Sequence, residues 1–300
     1  MPWPFGPHQA TGARAGRWFP KRQRHDQDLS KGCDMGLRSN GLAAAAAALL
    51  LVSLPVYAQD EPSTVSFDGI GFTFDEALGV SVNIAQVPGG SPGEDGPSAV
   101  GPGRLAFTLY GPRQEVAKIP RAISAPGVVR FYHTADLAGH DWQSQQLAEL
   151  QTLLDERPDL APYTAPGEGG ASLPLPFVLD GSAAQAIDAR ARYIDTPELA
   201  GIAYLTVFRQ DLFPFAAGDF WYTFQGLSTD GEWYVTVDFQ VEAGMFPAKV
   251  GQKDVKVVRT AKKWIAYQEQ SVQTLDAAAA DAFTPPLSSI DDLIESIVTG

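Results

Sequence analysis

The 300-residue chain has little cysteine and little histidine, the side chains on which thiol chemistry and many metal sites depend. It contains one Cys and four His. A single cysteine cannot form an intramolecular disulfide and cannot supply a site built from several thiolates. The sequence therefore excludes a disulfide framework, and we expect neither a metal nor a cofactor.

Basic residues are also scarce. The chain has 22 Lys and Arg against 35 Asp and Glu, a formal net charge of −13. A nucleic-acid binder needs a basic surface to displace counterions from phosphates, so the balance argues against that class. Because 45% of the residues are hydrophobic and 19% are charged, the composition is that of a globular protein.

The apolar run near the N-terminus is too short to cross a membrane. It extends from Leu42 to Leu54, about 20 Å as a helix against a bilayer core of roughly 30 Å. A positively charged lead ending at Arg38 precedes it, and Val56 and Ala58 follow at the −3 and −1 positions of a cleavage site. This order predicts a secretory signal peptide cut near Ala58.

The predicted cleavage changes the chain that has to fold. Residues 1–34 are an unusually long leader, so translation starts either at Met1 or at Met35. Without residues 1–58, the remaining residues 59–300 hold 15 basic and 32 acidic groups, a net −17, and no Cys. We expect one secreted or periplasmic domain over 59–300, with no transmembrane segment.

Alternating apolar residues predict several strands in this domain. The clearest alternation runs from Glu232 to Glu242, and an aromatic run over 220–225 precedes it. Asp230 and Gly231 supply the turn, so the two runs predict a β-hairpin. A Gly/Pro-rich stretch at 89–103 predicts a mobile surface loop. Further strands are expected at 69–74, 80–84, 104–110, 128–132 and 202–209.

Helical periodicity is found mainly late in the chain. Residues 141–154 predict one amphipathic helix, and the apolar spacing from Asp254 to Ala282 predicts a long one. Ser288 and Asp291 are spaced as a capping box for a short final helix, so 250–300 is expected to be helical. The expected class is α+β, a mainly antiparallel sheet packed with a long C-terminal helix and a few shorter helices.

The predicted hairpin resembles one in an uncharacterised family of secreted or lipid-anchored bacterial proteins. Those proteins carry a run close to YTFQGL-x-x-DG-x-x-YV, which matches Tyr222–Leu227, Asp230-Gly231 and Tyr234-Val235. The resemblance is strongest over 173–247. It implies an extracytoplasmic location and one folded unit, but no catalytic residue, because the family has no established activity. A lipid-attachment Cys is missing after the apolar run.

Other chemical motifs are weak. Ser91 lies in a literal G-x-S-x-G, but Pro92 follows it and has no N–H for an oxyanion hole. His133 and His140 are the histidines of 59–300, and two histidines fall short of the three or four ligands of a metal site. We interpret the serine match as chance and the histidines as loop residues, with metal or acid–base use as the alternative.

A stretch of eleven residues at the start of the predicted long helix contains five basic residues: Lys253, Lys256, Arg259, Lys262 and Lys263. The pattern is typical of a solvated helix face opposite an apolar stripe. The alternative is a grip on an anionic envelope polymer or on lipid headgroups.

The candidate ligand site lies on the predicted hairpin. Trp221, Thr223 and Gln225 share one face of the first strand, while Tyr234, Thr236 and Asp238 share one face of the second. If the two faces coincide, aromatic rings lie beside hydrogen-bonding groups, which suits a sugar or a peptide. The alternative is that a helix covers this face.

These features favour a secreted, non-enzymatic module that binds an envelope or extracellular ligand or protein through its sheet. The alternative is an extracytoplasmic hydrolase that uses dispersed Asp and Glu residues, such as Asp219 with Asp238. Adjacent acids such as Asp291 and Asp292 do not face each other across a cleft, as a glycosidase requires.

Overall fold

The structure is a computed structural model, and it describes residues 61–90, 101–111, 127–166, 173–179, 183–256 and 258–300. All of them belong to one compact unit that runs from Tyr57 to Gly300. The predicted signal peptide, the leader before it and most of the predicted loop at 89–103, Ser91 included, lie outside the described residues.

An antiparallel sheet organises the described part of the chain. The strands of this sheet and of a separate hairpin are β1 (Ser63–Phe67), β2 (Ile70–Phe74), β3 (Ser81–Val87), β4 (Arg104–Tyr110), β5 (Gly127–His133), β6 (Gln185–Asp195), β7 (Leu199–Phe208), β8 (Phe220–Ser228), β9 (Trp233–Ala243) and β10 (Phe283–Thr284). In the sheet they follow the spatial order β3-β4-β5-β9-β8-β7-β6, and β10 pairs with the far end of β9. The separate hairpin is formed by β1 and β2. The mainly antiparallel α+β prediction is confirmed at this level.

Helices flank the sheet. They are α1 (Thr134–Leu137), α2 (Asp141–Glu156), α3 (Ala161–Thr164), α4 (Gln252–Val255), α5 (Ala261–Ala277) and α6 (Leu287–Glu295). None of the helices in the described ranges is long and apolar enough to cross a membrane.

The sheet separates two hydrophobic clusters. The first, on the side of α5 and α6, includes Phe107, Phe224 and Val237 and continues to the β1-β2 hairpin. The second, on the side of α2, includes Leu150, Tyr204 and Tyr234. Because β9 contributes Val237 to the first cluster and Tyr234 to the second, both faces of this central strand are covered.

The predicted β8-β9 hairpin is confirmed. Its strands pair antiparallel, and Gly231 in the turn has φ +76°, a conformation that favours glycine. The Gly231 N–H donates to the carbonyl of Ser228 at 2.8 Å. The Asp-Gly pair therefore sets the register of the two strands that carry the candidate site.

Periodicity did not predict β1, β6 or the two-residue β10. In β6, a bulge near Arg190, whose φ is +55°, interrupts the alternation on which strand prediction depends. The bulge is also bound to the end of α5, because the Arg190 guanidinium donates to the carbonyls of Leu275, Asp276 and Ala278.

The prediction of one long C-terminal helix from Asp254 to Ala282 is wrong. The region is divided between the short α4, a connection that buries Val258, and α5. Thr260 begins α5 by accepting a hydrogen bond from the Lys263 N–H at 3.4 Å. At the other end, Ala278 is extended. Burial of Val258 stabilises the chain before α5, and the hydrogen bonds from Arg190 satisfy carbonyls that the end of α5 leaves free.

The final helix forms without the predicted capping box. α6 begins at Leu287, and no side chain caps its first turn. Asp291 instead accepts from Arg192 and from the Tyr222 hydroxyl, both at 2.5 Å. The carboxylate thus joins α6 to β6 and β8, and its sequence spacing to Ser288 was misleading.

Two facing glycines allow a ring to lie flat on the sheet. Gly201 pairs with Gly226, and the ring of Phe224 covers both. A Cβ at Gly201 would lie 2.4 Å from that ring and 2.6 Å from the Gln225 carbonyl oxygen. Substitution must therefore displace the ring or the neighbouring strand.

We expect Gly201→Ala to lower the free energy of unfolding by about 1–3 kcal/mol, the usual cost of overpacking. Urea denaturation followed by circular dichroism measures it. Gly218→Ala is the matched control, because a Cβ there meets no heavy atom within 4 Å. Equal effects of the two substitutions would contradict this account of the close approach.

Candidate functional site

The register of the β8-β9 hairpin brings the predicted site residues to one face of the sheet. Thr223 pairs with Asp238, and Gln225 pairs with Thr236. Directly opposed residues of antiparallel strands point to the same side. Trp221 and Tyr234 lie on this same face, toward opposite ends of the hairpin.

The carboxylate of Asp238 is the centre of a hydrogen-bond network on this face. Its Oδ1 accepts from the Thr223 hydroxyl at 2.7 Å. Its Oδ2 accepts from the Thr236 hydroxyl at 2.9 Å and from Nη1 of Arg130, on β5, at 2.7 Å. A buried charge needs such partners to offset its lost hydration, and Asp238 has three.

The network continues from Thr223 through Gln225. The Gln225 amide donates to the Thr223 hydroxyl at 2.7 Å. Its Oε1 accepts from the Tyr234 hydroxyl at 3.1 Å and from the main-chain N–H of Val178 at 3.2 Å. A continuous chain of hydrogen bonds therefore connects Asp238 with the segment that covers the hairpin.

This face is closed. Thr223, Gln225, Tyr234 and Asp238 are buried, and Trp221 is half-buried. Tyr234 packs in the cluster that α2 and the segment around 175–178 form with the sheet. The sequence left open whether this face is exposed or covered, and in the structure it is covered. It packs against α2 and the segment around 175–178, and no C-terminal helix lies on it in the described part of the chain.

Burial changes the acidity of the groups on this face. Desolvation raises the pKa of Asp238, although the Arg130 guanidinium and the Thr223 and Thr236 hydroxyls oppose the shift. Burial also raises the pKa of the Tyr234 and Tyr204 hydroxyls well above their usual range. Both tyrosines therefore stay neutral hydrogen-bond donors.

The covering segment, Leu173–Leu179, contains neither helix nor strand, and side chains hold its main chain. Gln185 accepts from the Leu175 N–H at 2.9 Å and donates to the Leu175 carbonyl at 3.0 Å. The Tyr204 hydroxyl donates to the carbonyl of Pro176 at 2.7 Å. We call Leu173–Leu179 the proline segment.

Side chains from α2 complete its hydrogen bonds. The Phe177 N–H donates to Oε1 of Gln146 at 2.8 Å, and its carbonyl accepts from Nε1 of Trp142 at 3.2 Å. With Gln225 on Val178, every main-chain donor and acceptor from the N–H of Leu175 to the N–H of Val178 bonds to a side chain. The surrounding side chains therefore bind the main chain of this segment, and such hydrogen bonds depend little on the identity of its side chains.

A groove of about 390 Å³ lies beside the proline segment. Glu149 is its acidic residue, and its carboxylate accepts from the amides of Gln145 at 2.7 Å and Gln146 at 3.2 Å. The lining residues are Gln145, Ala148, Glu149, Thr152, Leu153, Tyr163, Leu173, Pro174 and Pro176. The volume is within the range of ligand pockets.

The acidic pair named for hydrolysis has separate partners. Asp219 accepts from Arg209 at 2.5 Å and from the Ala216 N–H at 2.8 Å, whereas Asp238 is held by Arg130. The structure therefore shows two ion pairs, with each carboxylate held by its own arginine.

The two histidines have structural surroundings. The ring of His133 lies on Trp233 with centroids 3.8 Å apart, and the buried His140 precedes the first turn of α2. Within the described residues, no group of three or more His, Cys, Asp or Glu is placed to hold a metal ion.

Sequence reasoning missed the residues that close the site. Arg130, Gln185 and Tyr204 come from strands far from the hairpin in sequence, so their role depends on strand order. The proline segment carried a usable signal, because the Leu-Pro-Leu-Pro run beginning at Leu173 favours extended backbone.

Comparisons with family models, with curated proteins and with solved structures find no match to this chain. The resemblance of the hairpin to a family of secreted bacterial proteins therefore stays a prediction.

We expect Arg130→Met to lower the free energy of unfolding by about 3 kcal/mol near neutral pH, because Asp238 is left buried without its counter-charge. Desolvation raises the pKa of Asp238 in the folded protein and Arg130 opposes that shift, so the pKa rises further in the variant. The loss of stability is therefore full above the pKa of the variant, shrinks as the pH falls from there toward the wild-type pKa, and is smallest below both, where the carboxyl is protonated in both proteins. Urea denaturation at several pH values measures it.

Two variants control for this experiment. Arg157→Met breaks an exposed ion pair with Asp195 and should cost about 1 kcal/mol or less. Combining Arg130→Met with Asp238→Asn should recover part of the loss, because neither charge is then stranded. A pH-independent loss in the single Arg130 variant would contradict the role given to Asp238.

Proposed function

We propose that the protein is a secreted, non-enzymatic module that binds an extended peptide with a basic side chain in the groove beside the proline segment. The proposal rests above all on a groove of about 390 Å³ whose acidic residue, Glu149, accepts hydrogen bonds from neutral amides. Side chains hold the main chain from Leu175 to Val178 and so fix one wall of this groove. A groove whose wall is already fixed binds a peptide at a lower entropic cost.

The groove has the composition of a peptide site. Leu173, Pro174 and Pro176 form an apolar wall, and Tyr163 adds an aromatic ring to the lining. Such walls favour apolar and proline-containing segments. Gln145 and Thr152, exposed on α2, offer polar groups to a ligand main chain.

Charge favours a basic ligand. Within the described ranges, the part-buried Glu149 carboxylate accepts from neutral amides and forms no ion pair. A lysine or arginine of the ligand would add the missing charge-assisted hydrogen bond. The acidic surplus over 59–300 attracts the same kind of ligand at longer range.

The residues named on the hairpin act beneath the groove. Thr223, Gln225, Tyr234 and Asp238 form the network that fixes the proline segment, so they position its wall. Trp221, which is half-buried near the start of β8, stays a predicted ligand contact.

Peptide titration tests the proposal. A fluorescently labelled, proline-containing peptide with one central lysine should bind, and the same peptide with glutamate at that position should bind at least about tenfold more weakly. Glu149→Gln should abolish most of this preference, because the neutral amide no longer attracts the lysine. Fluorescence anisotropy gives both affinities.

Glu156→Gln is the matched control, since it removes an exposed carboxylate from the end of the same helix, outside the groove. Binding that Glu149→Gln and Glu156→Gln weaken equally, or no binding of the lysine peptide, would overturn the proposed site. Mass spectrometry of the same mixtures and of polysaccharide substrates tests the hydrolase alternative. Products that Asp238→Asn or Asp219→Asn abolishes would replace the binding proposal by an enzymatic one.

The proposed location has its own support and test. The described residues begin at Glu61, so the chain that cleavage after Ala58 would release contains all of them. In a bacterial host we expect an exported protein whose first residue is Gln59, as read by N-terminal sequencing. Ala58→Trp should block this cleavage, because the −1 position requires a small residue. An intact N-terminus on a cytoplasmic protein would contradict the signal peptide.

A further inference from the structure

Positive charge is concentrated at one place in this acidic domain. Residues 249–263 contain six basic residues and one acidic residue, Asp254, whereas the rest of 59–300 contains nine basic and 31 acidic residues. We call the basic residues of this stretch the basic ridge. They are Lys249, Lys253, Lys256, Arg259, Lys262 and Lys263.

The ridge is exposed and unpaired. All six side chains are exposed, and none forms an ion pair or a side-chain hydrogen bond with another residue in the described part of the chain. Asp254, the acid among them, accepts from the Gly251 N–H at 2.8 Å. In contrast, Arg130, Arg157, Arg192 and Arg209 each have an acidic partner. The charge of the ridge is therefore available to a partner outside the domain.

The position of two ridge lysines does not serve the stability of the helix. Lys262 and Lys263 lie in the first turn of α5, which has no acidic residue. The positive end of the helix dipole disfavours cations there and adds to their field. The two lysines thus strengthen the positive potential at the N-terminal end of α5 and lower the stability of the helix.

The shape of the ridge suits a surface. Its charges begin before α4, continue through the connection that follows and end on α5, where Lys262 and Lys263 point about 100° apart. Charges spread in two dimensions meet a charged plane more completely than they meet one strand of a linear polymer. Five of the six are lysines, whose compact charge suits diffuse attraction more than geometric recognition of one phosphate.

We propose that the basic ridge docks the protein on the surface of an anionic phospholipid membrane. Attraction acts within a Debye length of about 8 Å at physiological salt, so the ridge can bind although the distant acidic body is repelled. α5 packs with the first hydrophobic cluster, on the opposite side of the sheet from α2 and the groove. A docked domain therefore keeps the groove accessible, and docking does not depend on what the groove binds.

Vesicle co-sedimentation of the purified protein tests this docking. Vesicles of equal parts phosphatidylglycerol and phosphatidylcholine should pellet the protein at low salt, and pure phosphatidylcholine vesicles should not. Lys262→Gln should lower the partition coefficient about fivefold, and adding Lys263→Gln should lower it further. Salt near 0.15 M should weaken binding markedly.

Arg157→Gln is the matched control, because it removes one exposed positive charge outside the ridge; it should leave vesicle binding almost unchanged. Equal loss in Arg157→Gln and Lys262→Gln, or equal binding to both kinds of vesicle, would overturn the proposal. Binding to soluble polyphosphate without binding to vesicles would assign the ridge to an anionic polymer and would also overturn it. Circular dichroism confirms that each variant is folded.

Discussion

The buried carboxylate of Asp238 imposes the constraint on which this side of the fold depends. A charge taken out of water at the centre of a sheet needs partners, and here Arg130 and Thr223 come from the two neighbouring strands and Thr236 from the strand of Asp238 itself. The side-chain amide of Gln225 donates to the Thr223 hydroxyl, and this leaves its Oε1 to accept a hydrogen bond from the Val178 N–H of the proline segment. The position of the covering segment is thus a consequence of satisfying a polar face.

The two sides of the sheet consequently differ in character. On the side of α5 and α6, apolar and aromatic contacts such as that of Phe215 with Trp264 lie beside a few polar ones, among them the ion pair of Arg192 with Asp291. On the side of α2, glutamine and tyrosine side chains hold a main chain that has no strand beside it. We connect the proposed peptide groove with the second side and the proposed membrane docking with the helix of the first. This arrangement keeps the two proposed surfaces apart.

Much of the fold could be predicted from local patterns. The β8-β9 hairpin, most of the other strands and α2 follow from periodicity and from one Asp-Gly turn, because these signals act between residues close in sequence. The failures have long-range causes. Arg190 bulges β6 and binds the end of α5, and Val258 is buried where helix was expected. A periodic pattern contains no information about a partner eighty residues away.

The same division applies to the candidate site. The sequence by itself determined which polar and aromatic residues share a face of each hairpin strand, because side chains alternate with a period of two, and it determined the acidic charge and the grouping of the basic residues. Only the tertiary structure decided that the two faces coincide, that Arg130 neutralises Asp238, and that the proline segment closes the face. Register, strand order and cover are properties of contacts between distant segments, and burial depends on all three.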